Sequence, residues 1–253
     1  MVLLVACKKS NENEPYQKLS DQKDMIGDGY VGDQSCTACH QEATKDWQGS
    51  HHDKAMQLVT ENSVLGDFND VSVSLDGVAY FFYKKESDFF VNTTELDGSE
   101  NDYKITYVFG LTPLQQYIID FKDGKKQVLR VTWDTIDKKW FHQYAGDEIV
   151  ITDWLHWSRG AQNWNTMCAE CHSTNLKKNY FVEKDSFHTT YSSINVSCES
   201  CHGPGAQHLN WANSGATDGD MHMVLGNDQK SQMNMCAPCH ARRVKLSKDL
   251  IPG

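Results

Sequence analysis

Residues 71–140 carry the clearest alternation of apolar and polar positions in the chain. Val71, Val73 and Leu75, then Ala79, Phe81 and Tyr83, then Tyr103, Ile105, Tyr107 and Phe109, then Val131 and Trp133 recur at every second residue. That is the period at which the side chains of a strand return to one face. Asp76-Gly77, Asp97-Gly98 and Asp123-Gly124 divide the runs, and Asp-Gly readily adopts the positive backbone angles of tight hairpins. The pattern predicts an antiparallel meander of about five to seven strands. No His occurs between His52 and His142, so this stretch is expected to be a scaffold without chemistry of its own.

On either side the pattern changes. From about Gly146 onward the alternation fades while His, Trp and Cys accumulate, which predicts short helices joined by loops, with turns at Asp218-Gly219-Asp220 and Gly226-Asn227-Asp228. From Lys8 to Asp33 the chain is polar and nearly free of large apolar residues, as in a flexible tether with a reach of roughly 30 Å. Leu4-Val5-Ala6-Cys7 has the form of a lipobox, in which the Cys becomes a lipidated N-terminus; a frayed apolar start with a free thiol is the alternative. Met1–Ala6 is shorter than a full signal peptide, so the start reads as clipped. No run approaches the about 18 apolar residues of a membrane span. The expected organisation is a signal remnant and tether over 1–30, a first motif segment over 31–66, the β insert over 67–145, and a second module over 146–253. The fold class is α+β.

Composition adds a puzzle. An apolar fraction of 39% and a mean hydropathy of -0.59 are low for 253 residues that must fill a core from side chains alone. The net charge of -10, with no basic patch, argues against a nucleic acid as partner.

The cysteines resolve it. Eight of the nine fall into four copies of C-x-x-C-H: Cys36 to His40 with Cys39, Cys168 to His172 with Cys171, Cys198 to His202 with Cys201, and Cys236 to His240 with Cys239. A long stretch from Gln41 to Met167 separates the first copy from the second, whereas only 173–197 and 203–235 separate the later ones. This is the attachment signature of c-type haem. Two thiols form thioethers with the two vinyl groups on one porphyrin edge, and the next residue gives its imidazole to the iron. A zinc site would gather thiolates four at a time or place His at a longer spacing, and a thioredoxin-like C-x-x-C has no reason to appear four times. Four covalently bound haems (iron) are therefore expected, with His40, His172, His202 and His240 as proximal ligands. Each porphyrin brings a large apolar surface, which accounts for the shortage of apolar side chains.

What fills the sixth position of each iron decides between carrier and enzyme. Of the 11 His, seven remain: His51, His52, His142, His156, His188, His208 and His222. That supply suffices for bis-His ligation throughout, which would close the irons to substrates and leave electron transfer.

Tyr30-Val31-Gly32, the run Trp47 to His52 with Ala55-Met56, and Cys198 to His208 resemble stretches of the multihaem cytochromes related to cytochrome c-554. Phe109-Gly110 to Tyr117, Trp140 to His142, Leu155 to Trp157, Asn163 to Asn165 and Cys239 to Arg243 are similar to a subgroup often fused to tetratricopeptide repeats. The likeness covers most of residues 30–243. It implies close haem packing in stacked or angled pairs and electron transfer in the periplasm or at the cell surface, although some members are enzymes. Similar chains continue with further haem motifs, so this one reads as an N-terminal fragment. By position, the resemblance implies His52 and His208 as distal ligands, and more loosely His156 and His142. His51 rivals His52; His188 and His222 rival His142. Arg242-Arg243 is either a propionate clamp or an exposed basic pair, and the Trp residues near the motifs are expected to pack on porphyrin faces.

The expected function is that of an exported, lipid-anchored carrier of single electrons. The alternative is an oxidoreductase with one open iron acting on a small nitrogen or sulfur compound. Expected partners are other cytochromes or a quinol-linked donor, and a membrane through a lipid on Cys7. Self-association, with a neighbouring subunit donating a distal His, is a third possibility.

Overall fold

The structure is a computed structural model, and it describes residues 29–94, 98–215, 217 and 228–241. Cys7, nearly all of the tether, His222, the Asp218-Gly219-Asp220 turn and Arg242-Arg243 lie outside the described residues.

The alternating runs form an antiparallel sheet. β1 (Gln57–Leu58), β2 (Val71–Leu75), β3 (Val78–Lys85), β4 (Asp88–Thr94), β5 (Glu100–Phe109), β6 (Leu114–Asp120), β7 (Lys126–Val128), β8 (Val131–Asp134) and β9 (Lys139–His142) make nine strands among the described residues. Their order is β2-β3-β4-β5-β6-β8-β9, with β1 added to β5 and β7 to β6. Leu75 pairs with Val78, so Asp76 and Gly77 are the whole turn. Both have positive φ, 48° and 81°, the requirement of a hairpin turn that matches strand twist.

The sheet has more strands than the sequence pattern predicts. β4 and β6 escape the period-two reading because Phe89-Phe90-Val91 and Tyr117-Ile118-Ile119 are continuous apolar runs. In β6 the cause is burial on both faces: Tyr117 and Ile119 belong to one core cluster and Ile118 to another. The first cluster lies within the curl of the sheet and includes Phe68, Phe82, Phe89 and Trp140. Phe82 and Trp140 stack with centroids 3.7 Å apart and planes 2° from parallel. Burying one such ring contributes about 1.5–3 kcal/mol.

The second cluster is the outer face of β5 and β6. Tyr107, Phe109 and Ile118 pack there with Met56, Trp164 and Ala169, and Cys168 lies against them. The sheet thus serves as the bed for the second C-x-x-C-H motif.

The rest of the chain is helical in short pieces: α1 (Gln34–Thr37), α2 (Gln41–Trp47), α3 (Trp164–Met167), α4 (Ala169–His172), α5 (Cys198–His202), α6 (Ala206–Asn213) and α7 (Gln229–His240), with a small hairpin β10 (Tyr180–Phe181) and β11 (Ser186–Phe187). Helices α1, α2, α6 and α7 contain no buried residue. Isolated helices of this length are marginal in water and draw their stability from packing an apolar face, and these four are at most partly covered by protein.

Candidate haem-binding site

Each motif is set in place by specific polar contacts. The first runs from the end of α1 into the start of α2. The second straddles α3 and α4, and Asn163 caps α3 by accepting from the Thr166 backbone N–H. The fully buried Asn165 accepts from the Lys126 N–H of β7 (2.8 Å) and donates to the carbonyl of Gly124 (3.1 Å) and to Thr189 Oγ1 (2.8 Å). Those bonds fasten motif two to the sheet. The third motif is α5. The fourth ends α7, which starts at Asp228, whose carboxylate accepts from the Ser231 N–H.

The four motifs converge. Cys36 of the first shares a hydrogen bond with Cys198 of the third, which lowers the Cys198 thiol to about 7 and pushes Cys36 up. Cys201 of the third feels the charge of Cys236 of the fourth. Cys171 of the second donates to the carbonyl of Pro238 in the fourth (3.9 Å). Burial raises the Cys168 thiol to about 11. None of the eight motif cysteines is paired in a disulfide. In space the motifs therefore follow the order one, three, four, two.

The imidazoles meet across this cluster. His40 of motif one faces His208 of α6, with ring centroids 6.0 Å apart. His240 of motif four faces His52, with centroids 6.2 Å apart. Two imidazoles held on opposite sides of one metal at about 2 Å each have ring centres roughly 6 Å apart. These distances fit two irons, each between a proximal and a distal His. Among the described residues no group of three or more His, Cys, Asp or Glu converges as a metal cage; these His meet in facing pairs.

The segment carrying His52 is held against the approach to motif three. Trp47 Nε1 donates to the carbonyl of Val196 (3.0 Å), the Val196 N–H donates to the carbonyl of His52 (3.3 Å), and Asn195 Nδ2 donates to the Asp53 carbonyl (3.0 Å). In motif two, His172 Nδ1 lies 2.9 Å from the carbonyl of Ala55. A donor nitrogen anchored on a carbonyl fixes the tautomer and turns the other nitrogen toward a metal.

His142 is in a different place from the one expected. It ends β9, buried in the sheet, with Nδ1 2.9 Å from Asp76 Oδ2 and Nε2 2.9 Å from the Tyr80 hydroxyl. Both ring nitrogens are engaged, and the residue links β9 back to the β2–β3 turn. Asp76 Oδ2 also meets Arg130 (3.2 Å), and Asp76 Oδ1 accepts from the Gly146 N–H (3.1 Å). His156 is buried with Nδ1 2.8 Å from Ser158 Oγ. His51, His52 and His188 are exposed.

One residue of the site was not singled out by its motif. Glu199, between the two cysteines of motif three, is 2% exposed. Its Oε1 accepts from the N–H groups of Val31 and Gly205, and Oε2 from that of Gly32, all at 2.9 Å. It thereby fastens the entry to motif one onto motif three. The sequence carries no signal that separates it from Glu170, which lies between the cysteines of motif two.

The family model described as cytochrome c554 and c-prime matches residues 35–72 and 150–203. No curated protein matches the chain in sequence. Among solved structures, the outer cell wall cytochrome OcwA superposes with a TM-score of 0.50 at 20% identity, covering 81% of this chain. The chain spans 37% of the length of that cytochrome, and the likeness is one of fold. The two segments that match the cytochrome c554 and c-prime model hold the first three C-x-x-C-H motifs, imply c-type haem, and flank the antiparallel sheet inserted between them.

Proposed function

We propose that the chain is a tetrahaem c-type cytochrome that passes single electrons through closely spaced haems outside the cytoplasm. The observation that carries this reading is the pair of facing imidazoles, His40 with His208 and His52 with His240, at the spacing of a bis-His iron. When bound, each haem supplies a one-electron ferric–ferrous couple. The protein's own part is to hold Cys36, Cys39, Cys168, Cys171, Cys198, Cys201, Cys236 and Cys239 for attachment and His40, His172, His202 and His240 as proximal ligands. His208 is assigned to the motif one iron and His52 to the motif four iron. His156, the remaining buried imidazole outside the sheet, is the distal candidate for motif two or three. His142 is withdrawn from the ligand set because Asp76 and Tyr80 take both its nitrogens.

The contacts between motifs support an electron path in the order one, three, four, two, with redox partners docking near motifs one and two. Other cytochromes or a quinol-linked donor fit those roles. An exported location follows from c-type haem attachment, and a lipid on Cys7 would hold the molecule at a membrane. A single acyl chain binds only marginally, so two or more are required there.

Paramagnetic resonance of the oxidised holoprotein tests the reading. Low-spin signals are expected from the His208- and His52-ligated irons, and His208→Ala or His52→Ala should convert one haem in four to high spin. Unchanged spectra in both variants would overturn the assigned pairs. A high-spin iron already present in the wild type would favour the oxidoreductase reading instead.

A further inference from the structure

Glu199 carries more than a structural bond. Its carboxylate is buried, has no cation among its hydrogen-bond partners, and is held by three backbone N–H groups on Val31, Gly32 and Gly205. The carboxylate therefore lies inside motif three at the point where motif one joins it. Both motifs touch it: Val31 and Gly32 lead into motif one, and Glu199 itself lies between Cys198 and Cys201 of motif three. The sulfurs of Cys36 and Cys198 share a hydrogen bond across the two motifs.

We infer that Glu199 lowers the reduction potentials of the haems on motifs one and three. The inference rests on the haem reading above. Adding one electron to a ferric iron lowers its charge by one, so a neighbouring negative charge favours the ferric form and lowers the potential. A buried charge acts through a medium of lower dielectric than water and is little screened by salt. Asp33 also acts on Cys36 and Cys198, but it is partly exposed, and salt weakens its effect.

The test is a spectroscopic redox titration of the wild-type holoprotein and of Glu199→Gln, with haem content checked by intact mass. Glutamine keeps a carbonyl acceptor and removes the charge. At a fixed potential near their midpoints, two of the four haems should change their ferrous-to-ferric ratio about tenfold, equal to 59 mV for one electron, and the other two should hold. Asp33→Asn should shift the same pair less, and less again at high salt. A full haem complement with all four potentials unchanged, or all four shifted equally, overturns the inference while leaving the haem reading intact. A wild-type protein without four haems overturns the reading itself. Should Glu199→Gln not yield holoprotein, the wild type in rising salt decides. Potentials governed by exposed carboxylates then drift upward as the screening length falls, while the pair governed by Glu199 drifts least. A drift of all four together counts against the inference.

Discussion

The inserted sheet and the motif-bearing module obey different rules of stability. The sheet carries its own core: Phe68, Phe82, Phe89 and Trp140 are nearly inaccessible, and their rings contact one another. Its buried polar groups answer each other, as in the set of Asp76, His142, Tyr80 and Arg130. The module has helices that bury nothing, and exposed Trp154, Leu155, Met167 and Met233. A chain with an apolar fraction of 39% has placed its larger side-chain core in the insert, and the haems proposed for the four motifs would complete the module. The comparison sets a region packed by its own residues beside one whose packing the proposed cofactor would finish.

The largest test of that contrast is to produce the protein in cells that cannot attach haem. Hydrogen exchange should remain slow across β3 to β6 and become fast in α5, α6 and α7. Equal protection of both regions would show that the module folds on side chains alone.

Next in size is Trp140→Ala. Removing a ring stacked 3.7 Å from Phe82 should cost about 3–5 kcal/mol, read from denaturant unfolding followed at the sheet, while the number of bound haems is unchanged. Loss of a haem would tie the sheet core directly to attachment.

His142→Ala sharpens the same boundary. It removes the hydrogen bonds of His142 to the Asp76 carboxylate and the Tyr80 hydroxyl, at about 1–3 kcal/mol, and the haem spectrum should not change. A high-spin signal in this variant would return His142 to the ligand set.

The smallest effect concerns pH. The hydrogen bond from His142, helped by the Gly146 N–H and by Arg130, holds the Asp76 carboxyl below its usual value of 3.8. A carboxyl whose folded pKa is depressed adds stability that is complete above the unfolded value and is lost as pH falls through the folded one. Thermal unfolding followed at the sheet should therefore weaken below about pH 4, and less so in Asp76→Asn. An identical acid profile in the two proteins would remove Asp76 from the account.

Much of this was legible in the sequence, for physical reasons that differ by region. C-x-x-C-H is a local covalent requirement, so attachment and proximal ligation can be read from adjacent residues. The strands that face one core declared themselves by alternation, and Asp76-Gly77 declared its turn. β6 did not, because a strand buried on both faces has no polar positions to mark its period. Distal ligation is a long-range property. The motifs around His52 and His208 led to their expected role, and the fold brings each beside a motif His, whereas the partners of His142, Asp76 and Tyr80, are set by β2 and β3 pairing and not by its neighbours. Glu199 was passed over since only the fold brings the N–H groups of Val31 and Gly32 to it.

The central claim is that covalently bound haem completes the module. Intact mass of the denatured holoprotein tests it most directly: the account predicts the mature polypeptide plus four haems, and a mass equal to the polypeptide alone, or to it with fewer than four haems, would contradict it.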